Sequence, residues 1–212
     1  MKWYLISYYL MLLAGLVAGV IRYNWLAASN RLIVWLLAAT LCTELIAKYI
    51  SSYTNTNLPI YLLFQPLEFI LLTYLYWLEL RRNWMLWTIP IYLALFALNT
   101  IVWQPGIFQS NMLIITMLIS SIWSLFYLWV MLQHPTELYF TDFALFWVSC
   151  GLLLFNTSCL FVYGAYNFIN EDTLTPYNNV FRILRVTANH LLYLLFTIGL
   201  VGKQNKLPGW QT

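Results

Sequence analysis

The chain has 212 residues, of which 62% are hydrophobic, 19% aromatic and only 8% charged, and its ten bases and seven acids give a formal net charge of +3. Soluble domains carry about 25% charged residues, so this composition excludes an ordinary water-soluble fold. A chain of this length filled with apolar stretches leaves no room for a soluble catalytic domain, and its scattered bases form no run that would bind nucleic acid.

Taken in chain order, apolar stretches bounded by polar or proline-containing turns fall at about 3–21, 32–50, 59–79, 84–103, 111–133, 141–164 and 180–202, each long enough as a helix to cross the hydrocarbon core. The first follows Met1-Lys2 in the manner of a signal peptide. It is rich in tyrosine, however, and shows no small-x-small cleavage site before Arg22, so it reads as a span. Within it Gly15 and Gly19 form a G-x-x-x-G, extended by Ala14 and Ala18, which is expected to pack against a helix of the same chain. The stretches are continuously apolar without period-2 alternation, which argues against a β-barrel. The expected fold is all-α, a polytopic transmembrane bundle of seven helices forming a single domain over residues 1–212.

Lys and Arg set the expected orientation. With the N-terminus outside and the C-terminus cytoplasmic, Arg22, Arg31, Arg81, Arg82, Lys203 and Lys206 share the cytoplasmic side, while Lys2 and Lys48 lie opposite. Trp25, Trp84, Trp87 and Tyr139 then fall at inner ends, and Tyr53, Tyr61, Trp103, Tyr163 and Tyr177 at outer ends, the headgroup level that amphipathic rings prefer. The longest connection, 166–179, carries Glu171 and Asp172 and is expected to face outward.

Ionisable residues inside a span are expensive and mark functional sites or helix contacts. Glu68 lies nine residues beyond Pro59, about 13 Å down helix three, with Gln65 one turn earlier on the same face. Glu44 and Lys48 form an i,i+4 pair in helix two. Arg182, Arg185 and Asn189 share a face of helix seven by their three- and four-residue spacing, and His190 stands one position round from it. Asn156, Thr157 and Ser158 in helix six, and Asn99 in helix four, fall in the same outer half. The expected ligand-binding set is Glu44, Glu68, Arg182, Arg185, Asn189, His190 and Asn156. Expected pairs are Glu68 with Arg185 or Arg182, and Glu44 with Lys48; such pairs serve equally well as helix glue or as the lining of a cavity. Asp142 reads as a boundary residue.

Shifting the chain by 117 residues sets Pro59 on Pro176, Phe64 on Phe181, Leu67 on Leu184, Tyr76 on Tyr193 and Glu68 on Arg185, a weak trace of a three-plus-one-plus-three repeat. The chemistry of a membrane enzyme is not evident. No H-E-x-x-H, G-x-S-x-G or dense Asp/His grouping occurs, so no catalytic residue is assigned. His134 and His190 fall at different depths, too far apart for one haem, and Cys42, Cys150 and Cys159 lack metal or redox spacing, so neither cofactor nor metal is expected.

Asn57-Leu58-Pro59-x-Tyr61 leading into Glu68-Phe69, then Phe146-Trp147 with Gly151, and Asn189 with Tyr193 and Ile198-Gly199-Leu200, are the residues that carry a resemblance. In them the chain resembles an uncharacterised family of small bacterial seven-helix integral membrane proteins. The resemblance implies a multi-pass protein of the cell inner membrane and no particular reaction. The Pro-Gln dipeptide of three-plus-one-plus-three sugar and amino-acid transporters is missing; Gln65-Pro66 and Gln104-Pro105 run in reverse order.

The expected function is a ligand-binding sensor or accessory signalling module with a polar cavity in the outer half of the bundle. Its partners would be the lipid bilayer, a small polar or anionic ligand and a membrane signalling partner. Two alternatives remain open: a small-solute transporter bending at Pro66 and Pro90, and a lipid-modifying enzyme using Glu44, Glu68 and His190.

Overall fold

The computed structural model describes residues 3–54, 56–106, 109–133, 140–168 and 178–202, with backbone alone for 3–5, 164–168 and 178–179. Lys2, His134, Pro135, Tyr139, Glu171, Asp172, Pro176, Tyr177, Lys203 and Lys206 lie outside the described residues, and with them the expectations resting on the 166–179 connection.

Each apolar stretch carries one helix: α1 (Trp3–Ile21), α2 (Ala28–Thr54), α3 (Leu58–Leu80), α4 (Thr88–Leu98, continued by a π-helical turn over Asn99–Trp103), α5 (Ser110–Gln133), α6 (Ala144–Phe168) and α7 (Asn178–Val201). Six of these are long and apolar enough to cross a membrane, and the described part of α1, Ile6–Ile21, is a shorter apolar helix. The chain is therefore an all-helical, multi-pass membrane protein. Large apolar side chains such as Leu10, Trp35, Ile91, Ile101 and Phe161 are exposed on the helix surfaces, as lipid-facing residues are.

Local chemistry sets the helix ends. Pro59 sits in the first turn of α3, where a missing N–H costs nothing, and Arg81 closes that helix in the left-handed conformation (φ 50°), its N–H bonded to Trp77 O at 2.8 Å. Pro90 likewise falls in the first turn of α4 and bends nothing; Pro66 lies inside α3. Asp142 belongs to a short 3₁₀ turn (Phe140–Asp142) that precedes α6, in keeping with a boundary residue.

The principal helix contacts form a ring: α1 with α2, α2 with α3, α3 with α5, α5 with α6, α6 with α7, and α7 back to α1, while α4 packs outside it against α3. Small residues set the closest approaches. A Cβ on Gly15 would meet Thr197 of α7 and Leu37 of α2, and one on Gly19 would meet Val34 of α2 and Leu200 of α7, so the G-x-x-x-G packs inside the chain. Gly199 lets α7 lie directly on the backbone of α6 at Ala144. Arg22, just beyond α1, donates to the terminal carbonyls of α7: Leu200 and Gly202 (both 3.2 Å), and Val201.

We call the end of the bundle with the α2–α3 connection the upper end. The lower half is a dry core of Ile33, Leu75, Tyr76, Leu80, Tyr127, Val130, Phe143 and Leu200. A hydroxyl junction lies within it: Tyr76 Oη is 2.7 Å from Ser124 Oγ and 3.0 Å from Ser149 Oγ, joining α3, α5 and α6, while the nearby Thr73 Oγ1 and Trp123 Nε1 are buried without a hydrogen-bond partner among the described residues.

Candidate functional site

The upper half of the ring encloses a cavity of about 530 Å³, within the range of roughly 300–1,000 Å³ usual for small-molecule sites. It is lined from α1 (Tyr8), α2, α3, α5, α6 and α7, and α4 contributes nothing. Along α3 the lining runs from Tyr61 to Leu72, and along α6 from Tyr163 to Leu152, in each case about 17 Å of helix. Asn57 and Arg185, at the upper end, are both exposed and part of the wall, so the cavity reaches the surface there.

Six of the seven expected residues, Glu44, Glu68, Arg182, Arg185, Asn189 and Asn156, line this one cavity. The seventh, His190, does not. One residue round the helix from Asn189, it is turned toward α1, with Nε2 hydrogen-bonded to Ser7 Oγ (2.8 Å) and Nδ1 donating to Val186 O (2.7 Å). The grouping of Glu44, Glu68 and His190 that motivated a lipid-modifying enzyme is therefore not assembled. Nor do Thr157, Ser158 and Asn99 enter. Thr157 and Ser158 donate to Leu153 O and Leu154 O of their own helix, and Asn99 is buried in an amide knot with Gln104 (3.0 Å) and Gln109.

The expected ion pairs are absent among the described residues. Glu68 is half-buried in the cavity wall and accepts no hydrogen bond from the described residues; the hydroxyls of Tyr92 and Tyr193 are within electrostatic reach of it. Arg185, which is exposed, and Tyr193, whose hydroxyl is within electrostatic reach of both Glu68 and Glu44, stand eight residues apart on α7, about 12 Å. Lys48 is exposed and leaves Glu44 to the cavity, as a long cationic side chain near a helix end turns to the headgroups. Glu44 instead accepts from Tyr61 Oη at 3.4 Å, a long contact, with Arg185 within electrostatic reach.

One turn above Glu68, Gln65 is only 4% exposed. Its Nε2 donates to Gln109 O at 3.4 Å, and its Oε1 has no partner. Buried polar atoms are bonded in the great majority of cases, so an orphaned carbonyl on the wall of a cavity is informative. The floor is otherwise satisfied through α5, which presents Thr116, Ser120 and Ser124 at four-residue intervals on one face. Thr116 Oγ1 meets Tyr92 Oη (2.8 Å), Ser120 Oγ accepts from Asn156 Nδ2 (2.8 Å), and Ser124 holds Tyr76. This stripe and Tyr8 were missed in the sequence, and Tyr61 and Tyr193 were read there as an interfacial ring and as landmarks and not as cavity residues; hydroxyls recurring every four residues in an otherwise apolar stretch were the available signal for the stripe.

Among the described residues no three of His, Cys, Asp and Glu converge in a way that could hold a metal ion. No protein family, curated protein or solved structure matches the chain.

Proposed function

We propose that this chain is a membrane-embedded receptor for a small polar ligand, acting as a sensor or accessory signalling module. The observation that carries the reading is the cavity with unsatisfied polar groups in its wall. A structural helix contact pairs its buried charges, whereas Glu68 lines a void large enough for a ligand, with Gln65 and its unpartnered, buried carbonyl one turn above it in the same wall. Two further features support reception over passage. The lining ends above the dry lower core, which leaves one mouth. The α5 stripe also continues from the cavity floor at Thr116 and Ser120 to the Tyr76 junction below, giving a bound ligand a route to the opposite face.

In this reading all seven helices span, α1 included, since its 19 residues cover about 28 Å. Arg22, Arg31, Arg81 and Arg82 lie at the lower end, which supports a cytoplasmic lower face, an N-terminus outside and a cavity open to the exterior. The resemblance described above supports a bacterial inner membrane, and the ligand-dependent change would pass to a signalling partner in that membrane.

A small-solute transporter is the second reading. It is favoured by the ring itself, in which α1–α2–α3 and α5–α6–α7 are consecutive neighbours joined through α3–α5 and α7–α1, with α4 outside, as a three-plus-one-plus-three repeat would arrange them.

The test uses the full chain in lipid nanodiscs, screened for thermal stabilisation by small amines, carboxylates and amino acids. Stabilisation by a subset is expected, lost in Leu113→Trp, which fills the cavity without touching the hydroxyl network. The same solutes should enter proteoliposomes no faster than empty liposomes. Flux that disappears in Leu113→Trp would establish transport instead, and stabilisation that persists unchanged in this variant would refute the cavity as the site.

A further inference from the structure

The polar groups of the cavity are sorted by depth. Arg182 and Arg185 stand with Asn57 and Asn189 toward the mouth, Glu68 and Gln65 line the wall below Tyr61 on α3, and Glu44 lines the same cavity, accepting from Tyr61 and within electrostatic reach of Arg185. Tyr193, whose hydroxyl is within electrostatic reach of Glu68 and Glu44, lies eight residues below Arg185 and eleven below Arg182 on α7, roughly 12 and 16 Å along the axis. On the premise that the cavity is a ligand site, we propose that its ligand is bipolar. A primary ammonium group descends to Glu68 and Gln65, and a carboxylate or phosphate on the same molecule stays at Arg182 and Arg185.

The two ends ask for opposite chemistry. Glu68 and the Gln65 Oε1 are both acceptors, three residues apart on one face of α3, and a carboxylate without a countercharge in an apolar wall is costly until a cation joins it. An ammonium carries three N–H donors and can satisfy both acceptors at once. The faces of the aromatic rings that share the wall, Tyr8, Phe64, Phe155 and Tyr193, suit a desolvated cation. At the mouth each guanidinium has five donors in a planar fork. It can therefore take a carboxylate or phosphate oxygen in addition to its contacts within the protein. The axial separation favours charges several bonds apart over the single carbon of an α-amino acid.

That shared chemistry has two sources, a soluble ω-amino acid and the aminoethyl phosphate headgroup of a lipid, and the experiment separates them. Full-length protein in phosphatidylcholine nanodiscs is titrated with 6-aminohexanoate, with its two half-molecules hexylamine and hexanoate, and with glycine. Parallel discs contain phosphatidylethanolamine. Binding of 6-aminohexanoate is expected to exceed either half-molecule by roughly tenfold or more, and glycine to bind weakly. Glu68→Gln should weaken 6-aminohexanoate and hexylamine and leave hexanoate unchanged; Arg185→Gln should weaken 6-aminohexanoate and hexanoate and leave hexylamine unchanged. Loss of the 6-aminohexanoate response in the phosphatidylethanolamine discs, restored by excess probe, would make the lipid headgroup the bipolar occupant. Both variants are scored only as monodisperse protein by gel filtration, with Gln65→Met as a second probe of the deep end should Glu68→Gln not fold. If hexylamine or hexanoate binds as tightly as the bipolar molecule, the cavity reading stands and the bipolar inference falls. If no probe binds in either membrane, both fall.

Discussion

Replacing Gly199 with alanine is the sharpest test of how the ring is held closed. A Cβ at that position would stand 2.8 Å from the carbonyl oxygen of Ala144, whereas ordinary contact begins near 3.4 Å. The obstacle is backbone in the first turn of α6, which no rotamer change can move aside, so α6 and α7 must separate by about 0.6 Å. Overpacking of this kind costs about 1–3 kcal/mol, against which alanine recovers up to about 1 kcal/mol of helix propensity. Gly151→Ala supplies the control on the same helix pair. Its Cβ would meet Leu195 Cβ at 3.3 Å and Leu192 Cδ1 at 3.4 Å, which small shifts relieve. Because both variants gain the same propensity, the difference between them isolates the close approach at about 1–3 kcal/mol. Reversible unfolding of each protein in mixed micelles, followed by tryptophan fluorescence, measures it. Equal stabilities for the two variants would show that the α6–α7 contact at Gly199 is looser than described.

Three further outcomes follow from particular contacts. Tyr76→Phe removes the hydroxyl shared by Ser124 and Ser149 and should cost about 1 kcal/mol in the same unfolding assay, since a membrane-embedded hydrogen bond averages about 0.6 kcal/mol. Arg22→Ala withdraws the donors at the end of α7 and should destabilise by about 1 kcal/mol, with Arg22→Lys recovering part of the loss. Gln65→Met removes an unsatisfied carbonyl and only one long hydrogen bond, so it should be neutral or stabilising by about 1 kcal/mol while abolishing ligand-dependent stabilisation. A loss of several kcal/mol would instead mark Gln65 as structural.

The helices were legible in the sequence because lipid imposes a strong constraint, and their ends less so because helix outlasts apolarity. The α2 stretch read as 32–50 extends over Ala28–Thr54, its added turns supplied by Ser29, Asn30 and Arg31 below and by Ser51–Thr54 above. The π-helical turn of α4 has no periodicity that an apolar run would reveal. Faces were legible too: the spacing of Arg182, Arg185 and Asn189 put all three on the cavity wall. Relative depth was not. Counting residues along α3 and α7 gives each its own ruler without the offset between them, so it could not tell that Arg185 comes within electrostatic reach of Glu44 and forms no ion pair with Glu68. His190 failed for a related reason, since a turn of about 100° from Asn189 takes it to α1, and which helix stands there depends on the order of the ring.

The ring order also bears on how the protein is made. Helices enter a membrane in chain order, yet α1 has its second neighbour in α7, and the hydroxyls of Tyr76 and Tyr92 on α3 and α4 find their partners on α5 and α6. The first four helices therefore wait in lipid with polar groups unsatisfied and one flank of Gly15 and Gly19 bare. Arrival of α7 closes the ring and raises a wall of the cavity together. On the receptor reading a ligand would be held only once α7 is in place, and a product truncated before α7 would present a half-open ring to the proteases that police membrane assembly.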